Sequence, residues 1–225
     1  MERYLVVNAD DFGASPGVNR GIVEAHTDGV VTSTSLMVTG AAVEEAVALS
    51  RDLPELAIGL HWDIVGEDDR AFDTHDWDAA RQEFRRQLDR FHELMGRGPT
   101  HVDSHRHQHR LPQLRPVFRE LVEPIGIPLR DDGRVHFVGD FYAQWEWGVT
   151  DLAKVEVDAL VELIRRRVPP GWTEISCHPG YPDGRYEAMY LAERATEVRT
   201  LTDRRVKEEI AAQGIRLVSY ADWPR

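Results

Sequence analysis

Residues 4–13 read YLVVNADDFG, a short apolar run that ends in polar residues. A strand buried inside a parallel sheet reads as a nearly continuous apolar run. Asn8, Asp10 and Asp11 therefore come where the strand predicted over residues 4–9 ends. In α/β folds, ligands bind at the carboxyl ends of the parallel strands. This stretch predicts an α/β protein with a polar site at one edge of its sheet.

The rest of the chain alternates apolar runs with amphipathic segments, in which apolar residues recur at steps of three and four, as in Phe84, Leu88 and Phe91. Strands that alternate with helices predict parallel pairing through right-handed crossovers. About seven such strands suit a barrel or a barrel-like wound sheet, so the predicted class is α/β and TIM-barrel-like. The predicted strands are 4–9, 32–38, 56–62, 100–105, 127–132, 173–179 and 215–220, and the predicted helices are 17–29, 41–52, 77–96, 111–126, 151–168 and 202–214.

Composition narrows the classes of partner. The chain has 225 residues, 42% hydrophobic and 29% charged, with no repeat or linker that divides it, so one domain over 1–225 is expected. A net charge of -12 repels phosphate backbones and anionic lipids, which argues against nucleic acid and membrane as partners. The start, MERYLVVNADDFG, is neither a signal peptide nor a membrane span, so a cytoplasmic location is expected. The oligomeric state stays open, with a homodimer as one arrangement.

Asp10 and Asp11 are adjacent carboxylates at the end of the first predicted strand. Their side chains project in different directions, so one can bind a cation while the other handles a proton. In the alternative interpretation, one of them caps the following turn and its neighbour is solvated. The other polar strand ends favour the site.

Histidines come at the ends of the third and fourth predicted strands. His61 follows the apolar run LAIGL, where a single histidine is more often a buried core residue than a ligand. In HVDSHRHQH, residues 101–109, strand alternation places His101, Asp103 and His105 on one face, with His105 nearest the ligand-binding edge. Imidazole and carboxylate together suit zinc, while one carboxylate with several waters suits magnesium or manganese. We predict His105 as a ligand, Asp103 as a residue that orients a ligand, and His107 and His109 as pocket wall, ligand support or solvated loop.

His178 ends the sixth predicted strand and is followed by Pro179 and Gly180, which place it in a tight turn facing the same edge. Its near-neutral titration suits a general acid that protonates a leaving group. A structural histidine bonded within the turn is the alternative. Cys177, the only cysteine, and His178 do not form a nucleophile pair, because adjacent strand residues point to opposite faces.

These motifs together resemble the YdjC-like carbohydrate deacetylases, relatives of the polysaccharide deacetylases. The resemblance rests on NADDFG, GLHWD, HVDSHRHQH, GDFYAQW and CHPGYPD in that order, and on the tail TLTDRRVKEEIAAQGIRLVSYAD. It implies a distorted (β/α) barrel, which agrees with the alternation of strands and helices. The chain departs from the family at Trp62 and Asp63, where leucine and asparagine are usual, and it is short for the family. Both departures concern the substrate pocket.

The resemblance implies a role for each polar strand end. Asp10 corresponds to the general base and His178 to the general acid. Arg130, in IPLR, resembles an arginine that supports either the base or the substrate. The implied metal ligands are Asp11, His61 and His105.

Aromatic residues cluster in GDFYAQWEWG, residues 139–148. Their rings could stack on pyranose faces, although such a cluster equally suits a core or a dimer interface. We predict that Tyr142 contacts the substrate. The cluster consists of Phe141, Tyr142, Trp145 and Trp147.

The predicted activity is removal of the N-acetyl group from an amino sugar, such as a short chito-oligosaccharide or a small glycoconjugate, with one zinc or magnesium ion as cofactor. The cation polarises the acetamide carbonyl, Asp10 takes a proton from the attacking water, and His178 protonates the departing amine. Another metal-dependent barrel hydrolase, for example a phosphoesterase, and a non-catalytic sugar-binding protein are the alternatives.

Overall fold

A parallel sheet forms the centre of the computed structural model, which describes residues 2–66, 71–146, 148–184 and 189–224. Within these residues the strands are β1 (Arg3–Phe12), β2 (Ser33–Leu36), β3 (Ala57–Trp62), β4 (Val102–Ser104), β5 (His136–Val138), β6 (Gln144–Glu146), β7 (Val149–Thr150), β8 (Gly171–Cys177) and β9 (Ile215–Leu217). The α-helices are α1 (Pro16–Thr27), α2 (Val43–Ser50), α3 (Trp77–Met95), α4 (Arg115–Val122), α5 (Val157–Arg167), α6 (Ala192–Thr202) and α7 (Arg204–Ala212).

The strand order of the main sheet is β4-β3-β2-β1-β8-β5, and β9 pairs with the first residues of β1. Each of these pairings is parallel. The carboxyl ends of these strands therefore meet at one edge, as predicted. The curl of the sheet is shown by Arg130, which follows the bridge between Leu129 and Val102 of β4 and still reaches Glu174 on β8, with its guanidinium Nε 2.8 Å from the carboxylate. The α/β, barrel-like prediction is confirmed.

Several predicted elements differ in the structure. The strand expected over residues 127–132 is wrong except for one parallel bridge between Leu129 and Val102. Pro128 cannot donate to a ladder, and Asp131 has a left-handed φ of 57°, so the pairing ends there. Helix α6 was not predicted, because charged side chains occupy its buried face and hide the apolar period. The short strands β5, β6 and β7 were missed as well.

Local signals do explain the ends of the long helices. Ser15 accepts a hydrogen bond from Val18 N at 3.2 Å, and Pro16 occupies the first turn of α1. Asp76 caps α3 in the same way, and Gly96 ends it with a φ of 66°. These helices cover the sheet and leave its carboxyl edge open to the pocket described below.

The end of β1 carries an irregularity that shapes the site. Its register with β2 shifts between Ala9 and Phe12, and Asp11 has a φ of 70°. Such a bulge bends a strand and re-aims its side chains. Asp10 and Asp11 therefore face different partners, as the sequence predicted for two jobs.

The carboxyl-terminal segment closes the opposite end of the sheet. Tyr220 stacks on His101 with ring centroids 4.1 Å apart, and its hydroxyl donates to Glu174 at 2.6 Å. Among the described residues, no helix has both the length and the apolar character needed to cross a bilayer. The single domain expected over residues 1–225 stays a prediction.

Candidate metal and acid–base site

Asp11, His61 and His105 meet at the carboxyl edge of the sheet, and one ligand-type atom of each lies within 4.8 Å of the others. Asp11 Oδ1 is 3.2 Å from His61 Nε2 and 3.3 Å from His105 Nδ1. All three residues are buried, with exposed fractions of 2%, 1% and 6%. One carboxylate and two imidazoles form a donor set that suits a borderline divalent cation.

The cluster is held from outside by further polar groups. Asp103 Oδ1 is 2.6 Å from His61 Nδ1. Burial would raise the pKa of Asp103, but the positive charges of Arg130 and His61 outweigh burial and hold this pKa well below its usual range. His61 Nδ1 therefore donates to Asp103, which leaves the buried Nε2, on the side of Asp11, either to carry a proton or to bind a cation. A carboxylate behind an imidazole is how metal-binding histidines are oriented. These buried atoms fit a cation.

The electrostatics of the cluster favour added positive charge. Burial alone would raise the pKa of Asp11, but Arg194 and the two histidines hold it well below the ordinary value. Burial alone would lower the pKa of His61, but Asp103 and Asp11 outweigh burial and raise this pKa well above the ordinary value. A proton on His61 and a divalent cation compete to supply the charge that these carboxylates attract.

A second group of carboxylates and imidazole consists of Asp10, His61 and Asp103. Here Arg130 already supplies the positive charge, with Nη2 2.6 Å from Asp10 Oδ1 and 2.8 Å from Asp103 Oδ2. A third carboxylate, Glu174, lies 2.7 Å from the same nitrogen. A guanidinium paired with these acids leaves no place for a metal, so the cluster around Asp11 is the candidate cation site.

Arg130 lies behind Asp10, with 1% of its surface exposed. Its Nη1 and Nη2 donate to the two oxygens of Asp10 at 2.7 and 2.6 Å, an end-on bidentate pair that fixes the carboxylate plane. Burial would raise the pKa of Asp10, but Arg130 brings it below the ordinary value. Of the two roles that the resemblance implied for Arg130, this placement favours support of the base.

His178 lies beside Asp10, with its Nε2 3.9 Å from Asp10 Oδ2 and 17% of its side chain exposed. Its backbone N–H donates to Glu197, which fixes the turn. Burial lowers its pKa to about 4. The expectation of near-neutral titration is therefore corrected, because the surrounding protein desolvates the ring more than Asp10 stabilises its charge.

The other residues of HRHQH divide between the pocket and the interior. His107 lines the pocket, and burial lowers its pKa to about 3. His109 is 3% exposed, and its Nδ1 is 2.7 Å from Ser104 Oγ. Neither is a solvated loop residue. Trp62 and Asp63, where the chain departs from the family, are not among the described residues that line the pocket.

A pocket of about 660 Å³ opens over these residues. Tyr142 lies in its wall, stacked on Tyr190 with ring centroids 4.5 Å apart. Of the remaining predicted aromatic residues, Phe141 is buried in the core, Trp145 is 64% exposed, and Trp147 lies outside the described residues. The pocket floor includes Asp10, Asp11, His61, His105 and His178.

Sequence reasoning missed four residues that hold this site: Glu174, Tyr190, Arg194 and Glu197. All four are buried. The sequence signal that could have found Arg194 and Glu197 is the stretch AERATEV, residues 192–198, where charged residues occupy helix positions that would face the core. A charged residue is almost never fully buried unless it is paired, so charged residues on this face of α6 indicate partners for these charges inside the fold.

A curled parallel sheet with a carboxylate–imidazole cluster beside a second acid and a histidine defines a class of α/β protein with a candidate metal centre. The model of a protein family described as YdjC-like protein matches residues 4–212. The chain therefore belongs to the YdjC-like family, as its motifs predicted.

Three solved structures have a similar fold. An Enterococcus faecalis protein provisionally named a cellobiose-phosphate cleavage protein is 27% identical over 98% of each chain, with a TM-score of 0.84. A family 4 carbohydrate esterase from Streptomyces lividans in complex with acetate is 14% identical, over 98% of this chain and 95% of that one, with a TM-score of 0.61. A polysaccharide deacetylase from Bacillus cereus is also 14% identical, over 98% and 93%, with a TM-score of 0.61.

Proposed function

We propose that this chain is a metal-dependent deacetylase that removes the N-acetyl group from an amino sugar carried by a short chito-oligosaccharide or a small glycoconjugate. The supporting observation is that one pocket floor holds both the candidate cation cluster and, beside it, Asp10 and His178. Amide hydrolysis needs these elements together: positive charge at the carbonyl, a base for water and an acid for the amine. The names of the Streptomyces and Bacillus structures, an esterase and a deacetylase of carbohydrates, point to the same chemistry.

Asp11, His61 and His105 would hold the cation. When bound, a zinc or magnesium ion supplies the charge that polarises the acetamide carbonyl and makes a water molecule more acidic. Asp11 presents Oδ1 to both histidines, while Arg194 occupies its other oxygen. Asp103 orients His61 through its Nδ1.

Asp10 is the proposed base. Arg130 keeps it ionised, so it is ready to accept a proton from the attacking water over the whole neutral range. The fixed carboxylate plane also limits the positions from which that water can donate a hydrogen bond to Asp10. The water oxygen adds to the carbonyl carbon while its proton goes to Asp10.

His178 is the proposed acid, and its low pKa sets the order of events. The ring is neutral at pH 7, so it must gain a proton before it can act. Asp10, 3.9 Å away, holds the proton taken from water and lies near enough to pass it on after a small movement. The resulting imidazolium is destabilised by burial and gives its proton readily to the nitrogen as the C–N bond breaks. Acetate and a free amino sugar leave.

Tyr142 offers a ring face to the sugar at the pocket wall, supported from behind by Tyr190. Tyr142 is half-buried, so one side of its ring stays accessible to a ligand. Arg130 acts on the substrate only through Asp10. A cytoplasmic location, and a sugar rather than nucleic acid or membrane as partner, belong to the same proposal.

The test is acetate release from N-acetylated sugars in the presence of zinc, magnesium or manganese, with Asp10→Asn as the inactive control. The panel includes phosphorylated and unphosphorylated disaccharides, because the Enterococcus protein is named for a disaccharide phosphate. We expect metal-dependent acetate release that the control variant loses. Phosphate release without acetate would indicate a phosphoesterase, and sugar binding without turnover under any metal would indicate a binding protein; either result contradicts the proposal.

A further inference from the structure

Arg194, on α6, joins both halves of the site. Its Nη2 donates to Asp11 Oδ2 at 2.6 Å. Its Nε donates to the carbonyl of Tyr190 at 2.8 Å, and Nη1 reaches the carbonyl of His178 at 3.4 Å. Only 3% of the side chain is exposed. One guanidinium thus contacts the candidate metal ligand and the backbone of the turn that carries the proposed acid.

The surrounding backbone is shaped to admit this side chain. A Cβ added to Gly180 would lie 3.1 Å from Arg194 Cδ and 3.2 Å from Val18 Cα, so glycine makes room for the arginine stem. The N–H of Gly180 also donates to the carbonyl of Arg194 at 3.3 Å. Three positions further along α6, Glu197 accepts the N–H of His178. The helix and the turn after β8 therefore form one unit.

We propose that Arg194 is a positioning residue that makes Asp11 a one-oxygen metal ligand and ties its geometry to the turn of His178. Its bond to Oδ2 removes that oxygen from the cation and leaves Oδ1 facing His61 and His105. The proposal rests on the proposed metal site. It goes beyond that site, because none of the residues implied by the family resemblance performs this task.

The chemistry requires arginine at this position. A guanidinium is planar and presents several N–H groups in a fixed fork, so it can bond a carboxylate and two carbonyls at once. Lysine would keep the charge beside Asp11 but, as a compact ammonium on a flexible stem, would not hold the same plane. Methionine fills a similar volume and removes both charge and hydrogen bonds.

The experiment compares Arg194→Lys and Arg194→Met with the full-length wild-type chain. Arg199→Met is the matched control, because Arg199 is an exposed residue of α6 whose side chain bonds only Thr196 in the contacts described. Each protein is titrated with zinc by calorimetry. Each is then loaded with cobalt(II) for its visible spectrum, which reports the number and geometry of the ligands. Thermal unfolding shows which variants are folded.

We expect Arg194→Met to weaken zinc binding by about 10- to 100-fold and to change the cobalt spectrum, because Asp11 is freed to rotate and use both oxygens. Arg194→Lys should bind zinc more tightly than Arg194→Met but less tightly than wild type. Arg199→Met should bind zinc as tightly as wild type. If Arg194→Met does not fold, Arg194→Lys must still show the altered spectrum. Wild-type affinity and spectrum in both variants would overturn this inference alone. A wild-type chain that binds no divalent metal would overturn the proposed metal site and this inference with it.

Discussion

Asp10 and Asp11 are adjacent in the chain, yet each is paired with its own arginine. Arg130 bonds both oxygens of Asp10, while Arg194 bonds one oxygen of Asp11 and leaves the other to the histidines. The left-handed φ of Asp11 separates the two side chains. In the proposed mechanism, this separation at the residue scale assigns one carboxylate to the proton and the other to the cation.

The candidate ligands can be tested one at a time. Alanine at Asp11, His61 or His105 should abolish tight metal binding and activity together, because each removes one of three donors in a buried cluster. His107→Ala is the matched control, since His107 lines the same pocket but is not in the cluster. Metal content is measured on each purified variant. If His105→Ala retained one metal ion per chain, His105 would not be a ligand and the third ligand would be another residue.

The two proton carriers should behave differently from the ligands. Asp10→Asn and His178→Ala should retain metal and lose about 10² to 10⁴ in rate, the usual cost of a lost proton carrier. His178→Ala should slow an N-acetyl sugar far more than an activated acetate ester, whose leaving group needs no proton. Rates on both substrates decide the matter. An equal loss on both would make His178 a structural residue.

At the scale of elements, β3 and β4 pack tightly because Gly59 faces the ring of His101. A Cβ at Gly59 would lie 2.4 Å from that ring, closer than real contacts allow. Gly59→Ala should therefore destabilise the fold by about 1 to 3 kcal/mol through overpacking. Gly98→Ala is the control, since its Cβ would meet only His92 at 3.5 Å. Urea midpoints of both variants give the comparison, and equal midpoints would rule out the clash.

The same ring makes the link between β4 and the carboxyl-terminal segment sensitive to acid. Burial lowers the pKa of His101 to about 4, against about 6.5 in the unfolded chain. The unfolded chain therefore binds more protons between these values, and stability present above pH 6.5 is lost as pH falls towards 4. His101→Phe keeps a ring on Tyr220 but cannot titrate.

Between pH 7 and pH 4.5, the unfolding free energy of wild type should fall by about 2 kcal/mol more than that of His101→Phe. Urea denaturation at both pH values, with a chelator present, measures the difference. Other buried groups titrate in both proteins and cancel in the comparison. A pH dependence identical in variant and wild type would mean that the pKa of His101 is the same in the folded and the unfolded chain.

For the whole molecule, the site draws on segments far apart in the chain. Asp11, His61, His105 and Arg194 come from β1, β3, the residues after β4, and α6. A cation bound to the folded chain and not to the unfolded one should stabilise the entire fold. At a free zinc concentration of about 100 times Kd, the unfolding free energy should rise by about 2.7 kcal/mol.

Denaturation with zinc and with a chelator provides the measurement. His105→Ala is the control and should show no gain from zinc. A gain of equal size in this variant would place the stabilising metal at a different site. Destabilisation by zinc would mean that the unfolded chain binds it more tightly.

The sequence alone determined the class of fold and the polar edge, because both depend on short-range patterns. The alternation of apolar runs with amphipathic segments reports which residues face the core, whatever the rest of the chain does. Asp10, Asp11, His61, His105 and His178 were all picked out because polar residues at the ends of buried strands break such a pattern. The structure places all five on one pocket floor.

Only the tertiary structure decided which charges are paired and how they titrate. Arg194 and Asp11 are 183 positions apart, and no local pattern in the chain joins them. The partners of Arg130 and the burial that makes His178 a neutral ring likewise exist only once the sheet has curled. Pairing and desolvation depend on distances through space, which short-range sequence patterns do not contain.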